Sequence, residues 1–171
     1  MQDAGIIDRR ERFELIGGEI VPMAANGVPH ETVKMELNRF WTKAVPAELN
    51  ILTETTLHIS ERDFLEPDFI FWPRSVGLKD LRPADILLLV EVADWSLSYD
   101  LGRKAQIYAS LGIRDYWAID AVKLITSIHR LGGGDLYAGP IEAPHTGLLT
   151  PEPLPALAVC LADLGLQPLA E

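Results

Sequence analysis

Apolar and polar residues recur along the chain with spacings that predict a mixture of strands and helices. The segments Phe13–Ile16 and Glu19–Met23 flank Gly17 and Gly18. Two adjacent glycines accept the positive φ angles of a tight turn, so this stretch predicts an N-terminal β-hairpin. After Pro29, apolar residues recur at the 3.6-residue spacing of an amphipathic helix. They are Val33, Leu37, Phe40, Trp41 and Ala44.

The middle of the chain predicts a sheet and a second helix. Residues 50–59 and 66–72 are predicted strands, the first of them rich in β-branched side chains. Ile86–Val92 is apolar on both faces, which is typical of a central strand covered on each side. Helical spacing returns from Ser98 and ends at Gly112, and residues 114–119 and 124–130 are two further predicted strands. This order predicts an α/β (α+β) fold, a mixed β-sheet flanked by helices.

Composition narrows the class of protein. With 171 residues, 48% of them hydrophobic, the chain is long enough for one domain with its own core. Its formal net charge of −10 excludes a generally basic nucleic-acid coat protein and a polybasic membrane binder. The longest aliphatic run, Ile86–Val90, is too short to span a bilayer, and the charged first residues contain no apolar signal segment. Together with the single cysteine, Cys160, these features predict a cytoplasmic protein with no membrane contact.

Charge is unevenly distributed along the chain. Every Lys and Arg lies between Arg9 and Arg130, whereas residues 131–171 contain five acidic residues, several prolines and no base. We interpret residues 1–11 as an N-terminal lead and residues 131–171 as an acidic, proline-rich wrap that ends in a short apolar element. The prediction is one domain over residues 1–171.

A carboxylate interrupts the most hydrophobic predicted strand, at Glu91. Desolvating a lone carboxylate is costly, so it must be protonated, paired with a cation or bound to a metal. Asp68 follows Pro67 at the start of another predicted strand. Two acids on neighbouring strands can converge on one hard cation such as Mg²⁺ or Mn²⁺, which favour oxygen ligands.

Lys104 is the third candidate, one turn into the helix that follows the Glu91 strand. From there its ammonium can reach back over the sheet to stabilise a phosphate or help deprotonate a water. Metal-activated attack of water on a phosphodiester would use these three groups together. From spacing alone, a structural Glu91–Lys104 ion pair with Asp68 as a strand-end cap is the simpler interpretation.

The same residues resemble a known signature. Pro67-Asp68, Glu91-Val92-Ala93 and Lys104 are similar to the PD-(D/E)xK signature of nucleases with a restriction-endonuclease-like fold. More narrowly, nearly the whole chain resembles the Uma-type endonuclease family, a bacterial group within that superfamily. The matching segments are Phe13–Val21, His30, Glu66–Phe69, Leu88–Val92, Tyr99–Tyr108, Gly112–Trp117 and Leu154–Leu157.

This resemblance implies a restriction-endonuclease-like fold and metal-dependent cleavage of DNA. It implies Asp68 and Glu91 as Mg²⁺ ligands, assisted by the Val92 carbonyl, with Lys104 acting on the phosphate or the water. The signature would place a lysine at position 93, where this chain has alanine. In this family the lysine lies in the following helix, at the place of Lys104.

Other polar residues are weaker candidates. His30 matches the family's histidine and could hold a water or phosphate, although a helix-start or surface role is the simpler interpretation. Glu14 and Glu19 flank the hairpin turn, and we interpret them as exposed hairpin positions, with an accessory acid as the alternative. Asp100 precedes Lys104 by one turn and is expected to cap the helix, with catalysis as the alternative.

Two aromatic residues near Lys104 are interpreted differently. Tyr108 shares a helix face with Lys104 and is expected in the core. Trp95 lies in the strand-to-helix connection between Asp94 and Ser96, and it is the tryptophan that we expect to touch a substrate.

Three functions remain open at this stage. The first is a Mg²⁺-dependent DNA endonuclease, expected as a homodimer because cutting both strands requires two sites. The second is an inactive nuclease-fold binding module, favoured by Ala93 and the net charge. The third is a structural homodimer with an ion-paired Glu91 and Lys104. DNA binding is expected to be weak and metal-dependent, through a positive rim formed by Arg39, Lys43, Arg74, Lys79, Arg82, Arg103 and Lys104.

Overall fold

A computed structural model describes residues 13–16, 18–22, 26–60 and 63–169, and the predicted N-terminal lead, residues 1–11, lies outside them. The strands are β1 (Phe13–Ile16), β2 (Glu19–Pro22), β3 (Leu49–Thr53), β4 (Leu57–Ser60), β5 (Asp63–Leu65), β6 (Phe69–Pro73), β7 (Leu88–Ala93), β8 (Asp115–Asp120), β9 (Thr126–Arg130), β10 (Ile141–Ala143), β11 (Leu148–Leu149) and β12 (Val159–Cys160). The helices are α1 (Val28–Ala44), α2 (Leu97–Tyr99) and α3 (Ala105–Ser110), and a π-helical turn (Asp100–Lys104) joins α2 to α3. None of the described helices is long and apolar enough to cross a membrane.

The central sheet contains six strands within the described residues, in the order β10-β9-β8-β7-β6-β3. Strands β7 and β8 are parallel, and the other neighbours are antiparallel. A parallel pair requires a crossover connection, which the helical stretch from α2 to α3 provides. Every residue of β7 is buried, so the prediction of a central strand covered on both faces is confirmed.

The two faces of the central sheet pack against different elements. In β7, Leu88, Val90 and Val92 face a core shared with α1, whereas Leu89 faces a second core shared with α3. Because side chains alternate along a strand, Glu91 lies on the same face as Leu89, toward the helical stretch. This alternation positions the candidate site on that side of the sheet.

The N-terminal hairpin is confirmed, because β1 pairs antiparallel with β2 from Phe13 opposite Pro22 to Ile16 opposite Glu19. Within the described residues it continues into a second sheet of order β2-β1-β5-β4. The prediction of one strand over residues 50–59 is wrong. Glu54 adopts a left-handed backbone with φ of 49°, which breaks the segment into β3 in one sheet and β4 in the other.

The acidic wrap is more integrated than its proline content indicates. Its strand β10 extends the central sheet by pairing with β9, and Leu157 and Leu161 are fully buried in the core beneath α1. The indole N–H of Trp41 donates to the Leu157 carbonyl at 3.1 Å. Residues 131–169 therefore supply part of the main core rather than only covering it.

Candidate active site

A cavity of about 260 Å³ opens where the C-terminal end of β7 meets the N-terminal end of β6. Asp68, Glu91 and Lys104 all line it, and each is buried. Strands β6 and β7 are antiparallel, and Phe69 lies opposite Val90. Asp68, just before Phe69, and Glu91, just after Val90, therefore lie at the same end of the two strands. The structure thus brings together the three residues that the sequence identified.

Lys104 lies at the centre of the buried charges. Its Nζ is 2.9 Å from Glu14 Oε1, 3.0 Å from Glu91 Oε1 and 3.6 Å from Asp100 Oδ1. Burial lowers the pKa of Lys104, but the surrounding carboxylates outweigh it and raise that pKa above its ordinary value. Lys104 is therefore a permanently charged cation in this cluster.

Glu91 is held by two donors. Lys104 Nζ and the Tyr108 hydroxyl both donate to Oε1, at 3.0 and 2.6 Å. Burial raises the pKa of Glu91 above its ordinary value, even though the charge of Lys104 opposes the shift. The Tyr108 pKa is raised well above its ordinary value by burial and by the charge of Glu91, so Tyr108 stays a protonated donor.

Asp68 is oriented by one backbone group and one imidazole. Its Oδ2 accepts the Val92 N–H at 2.8 Å, and His30 Nε2 lies 3.2 Å from the carboxylate. The other ring nitrogen, Nδ1, is 3.3 Å from Glu31 Oε1. Burial lowers the pKa of His30, but the hydrogen bond and charge of Asp68 outweigh it, so the net pKa is raised. A protonated His30 donates from both nitrogens and fits these two acceptors.

His30 lies in the first turn of α1, which agrees with the helix-start role expected for it, whereas its burial makes the alternative surface role wrong. The direction of the Val92 backbone is relevant to the prediction that its carbonyl is a metal ligand. The N–H and C=O of one strand residue point to the same side, and the Val92 N–H points to Asp68. The Val92 carbonyl is therefore directed to the edge of β7 where Asp68 lies.

The π-helical turn places Asp100 and Lys104 on one buried face. Asp100 accepts the Ser96 hydroxyl at 2.7 Å and lies near Lys104. Burial raises the pKa of Asp100 against the opposing charge of Lys104. No backbone N–H of the helical stretch donates to Asp100 among the described residues, so the capping role expected for it is not observed; its carboxylate instead faces Lys104 and lines the cavity.

The two hairpin glutamates have opposite environments. Glu14 is buried and contacts Lys104, and it also accepts the Glu66 N–H at 3.1 Å. Glu19 is exposed and pairs with Arg103, outside the cavity. The interpretation as exposed positions is therefore wrong for Glu14. The sequence contained a signal for the burial of Glu14, because side chains alternate along β1 and Glu14 therefore shares a face with the apolar, buried Ile16.

The predicted positive rim does not form around this cavity. Arg74, Lys79 and Arg82 lie in the connection from β6 to β7, at the opposite end of those strands from Asp68. Lys43 is in the last turn of α1, roughly 20 Å from His30 at a rise of about 1.5 Å per residue. Arg103 is paired with Glu19.

The donor atoms of the cavity suit a divalent cation. Asp68, Glu91 and the Val92 carbonyl offer only oxygen, which matches the preference of Mg²⁺, and Mg²⁺ is commonly held by one or two carboxylates with water and phosphate completing its shell. Within the described residues no group of three or more His, Cys, Asp or Glu side chains has metal-binding geometry. Lys104 and Tyr108 both donate to Oε1 of Glu91, and no hydrogen bond from a described residue reaches its other oxygen, Oε2. The residues fit a cation bound mainly by water and substrate.

Comparison with known proteins identifies the family. The sequence profile described as "Uma2: Putative restriction endonuclease" matches residues 3–163. No curated protein matches the chain. The chain is similar in structure to "a putative nuclease belonging to DUF820" from Anabaena variabilis ATCC 29413, with a TM-score of 0.70 and 12% identity over 95% of this chain and 94% of that one.

A second similar structure is that of the type IIG restriction endonuclease BpuSI. The TM-score is 0.38 with 17% identity over 59% of this chain and 11% of that one. The profile match spans nearly the whole sequence, and the first structure shares the fold. The chain belongs to the Uma2 family and has a restriction-endonuclease-like fold.

Proposed function

We propose that this protein is a Mg²⁺-dependent DNA endonuclease whose active site is the cavity around Asp68, Glu91 and Lys104. The observation that carries the proposal is the meeting of two strand-end carboxylates and a buried lysine in one cavity. Membership of a family described as restriction endonucleases supports DNA as the substrate. Mn²⁺ is expected to substitute for Mg²⁺ because both favour oxygen ligands.

Asp68, Glu91 and the Val92 carbonyl would hold the cation. When bound, it would supply charge neutralisation at the phosphate and activation of the attacking water. The chain's own residues prepare the site for this. His30 and the Val92 N–H fix the Asp68 carboxylate, and Tyr108 fixes Glu91.

Lys104 supplies the charge that faces the substrate. Its ammonium is held by Glu14, Glu91 and Asp100, so its position is fixed before a phosphate arrives. A preorganised cation in a buried site stabilises the extra negative charge of a phosphoryl transition state. Lysine is placed here rather than at position 93, and Ala93 is fully buried.

A structural role is the second candidate, because Glu91 and Lys104 already form a direct ion pair. The effect of Mg²⁺ on the melting temperature distinguishes a metal site from a purely structural ion pair. If the cluster binds the cation, Mg²⁺ raises the melting temperature of the wild type and not that of Glu91→Gln. If the ion pair is purely structural, Mg²⁺ leaves both melting temperatures unchanged.

The test of the proposed reaction is cleavage of circular single-stranded and double-stranded DNA by purified protein. We expect cutting with Mg²⁺ or Mn²⁺ and none with a chelator. Asp68→Asn and Lys104→Met should each reduce the rate about 100-fold or more, which is the scale of removing one electrostatic group from an active site. The matched control is Lys79→Met, since Lys79 is exposed at the far end of β6.

Circular dichroism of each variant establishes that it is folded. Metal-dependent cutting that survives in both Asp68→Asn and Lys104→Met would contradict the proposal and place the activity elsewhere. Loss of cutting in Lys79→Met to the same degree would also contradict it.

A further inference from the structure

Trp95 stands at the mouth of the cavity and is 59% exposed, whereas the other three tryptophans are at most 4% exposed. It follows β7 and lines the same cavity as Asp68, Glu91 and Lys104. Because the Trp95 ring stays largely in solvent, it adds little to the stability of the hydrophobic core. Together with Val21 and Pro22 it gives the cavity an apolar surface that is open to a ligand.

The cavity changes character from its mouth to its floor. The mouth carries Trp95, Val21 and Pro22, which are exposed or half-buried, while the acids and Lys104 at the floor are buried. Tyr99 also lines the cavity, and its buried hydroxyl has no hydrogen-bond partner among the described residues. A ligand with one flat apolar part beside Trp95, one polar group near Tyr99 and one anionic part near Lys104 would match this space once the cation of the proposed function offsets the carboxylates around Lys104.

Charge around the mouth argues against a clamp on duplex DNA. Among the described residues that line the cavity, Lys104 is the one Lys or Arg side chain. Nearby Arg103 is paired with Glu19, and Lys34 is paired with Glu31 and Glu54. Non-specific duplex binding relies on many Lys and Arg contacts to phosphates, and the described surface here offers few.

We propose that the mouth of the cavity binds an unpaired nucleotide, with its base stacked on Trp95 and its phosphate directed to Lys104. This rests on the proposed function and names its substrate class as single-stranded or locally unpaired DNA. In an intact duplex the base faces are covered by neighbouring bases, so an aromatic ring beside the phosphate has no face to stack on. An unpaired base presents its face freely, and stacking on aromatic side chains is how single strands are held.

Binding is measured by the fluorescence anisotropy of a labelled oligothymidylate in Mg²⁺. The oligothymidylate carries phosphorothioate linkages, which resist cutting during the titration, and the wild-type chain is the parent. Trp95→Ala should weaken binding about 5- to 150-fold, the range expected for one lost base–aromatic stack. Trp95→Phe should restore most of the affinity, because its ring still stacks. Leu78→Ala, at an exposed position in the connection from β6 to β7, should bind like the parent.

Tryptophan emission gives a second readout that is independent of cutting. The oligothymidylate should quench the emission of the parent protein and leave the emission of Trp95→Phe unchanged, because the remaining tryptophans are buried. The same strand annealed to its complement should bind more weakly, with no dependence on Trp95. Loss of affinity in Trp95→Ala on both substrates alike would overturn the assignment to unpaired DNA.

The outcomes separate this inference from the proposed function. Trp95-dependent binding of single strands by a wild-type chain that cuts no DNA would support the nucleotide site and contradict the catalytic proposal. Asp68-dependent cutting of duplex DNA at a rate unaffected by Trp95→Ala, with unchanged single-strand affinity, would overturn the inference and leave the catalytic proposal standing.

Discussion

At the scale of single residues, the site depends on buried carboxylates, chiefly Asp68 and Glu91, and on the few groups that donate hydrogen bonds to them. The sequence predicted Glu91 from its interruption of an apolar strand and Lys104 from its place one turn into the following helix, and the family resemblance supported both. Tyr108 was correctly predicted to be buried, but its hydrogen bond to Glu91 was missed. That contact depends on how α3 packs across β7, which the spacing of apolar residues within one helix does not encode.

Tyr108→Phe tests the second donor to Glu91. The change keeps the ring in the core and removes the hydroxyl that donates to Glu91 Oε1 at 2.6 Å. Leaving a buried carboxylate short of a donor should lower the free energy of unfolding by about 1–3 kcal/mol. Urea denaturation measures the loss, with Tyr137→Phe as the control because that hydroxyl donates to the Ile113 carbonyl in a half-buried place. A Tyr108→Phe protein as stable as the wild type would refute the role.

His30→Gln tests the charge on the imidazole. The folded pKa of His30 is raised above its ordinary value, so its contribution to stability is complete below about pH 6.5 and is lost as the pH rises through the folded pKa. The wild type should therefore exceed His30→Gln in stability by more at about pH 6 than at about pH 8.5. Denaturation at both pH values measures this. A difference that grows with pH would mean that His30 is neutral beside Asp68.

At the scale of elements, the hairpin, α1 and the helix ending at Gly112 were predicted, because each has a local signal. Gly112 has φ of 80° and ends the helical stretch as expected. The break between β3 and β4 was not predicted, since Glu54 has no glycine-like signal and its left-handed backbone is imposed by tertiary structure. The strand predicted from residue 66 begins at Phe69, because Pro67 cannot donate to a strand ladder.

Gly27→Ala tests how the start of α1 is held against the end of β7. A Cβ at Gly27 would overlap Asp94 Oδ2, so either Asp94 or the first turn of α1 must move. Because Asp94 Oδ2 is the end of a side chain that can rotate, the cost should lie at the low end of the range for overpacking, about 1 kcal/mol, and any shift of the turn that holds His30 should also slow cleavage. Gly102→Ala is the control, since a Cβ there meets nothing within 4 Å. Thermal melting and the cleavage rate measure both effects, and equal behaviour of the two variants would argue against this contact.

At the scale of the whole molecule, composition gave the net charge but not the positions of the charged residues or the oligomeric state. The net charge of −10 is partly explained by the buried acids of the cavity. The basic residues are dispersed because strand direction, which composition does not contain, places Arg74 and Lys79 at the far end of β6. The homodimer and the cytoplasmic location stay predictions. The acidic wrap was predicted to belong to the single domain. The burial of its leucines and the pairing of β10 with β9 could not be predicted, because both depend on contacts with distant parts of the chain.

Leu157→Ala tests the contribution of the wrap to the main core. Leu157 is fully buried beneath α1, so truncating it should leave a cavity and reduce the free energy of unfolding by about 2–5 kcal/mol. Leu148→Ala is the matched control, because Leu148 is mostly exposed and its truncation should change stability by at most about 0.5 kcal/mol. Urea denaturation compares the two. Similar small losses in both would show that the wrap only covers the core.

The central claim is that Asp68 and Glu91 bind a divalent cation in the cavity beside Lys104. Anomalous diffraction from crystals of the protein soaked in Mn²⁺ tests it most directly. The account predicts an anomalous peak against the carboxylates of Asp68 and Glu91 that is missing from crystals of Asp68→Asn. A cavity without Mn²⁺ in the wild type, with Lys104 still paired to Glu91, would contradict it.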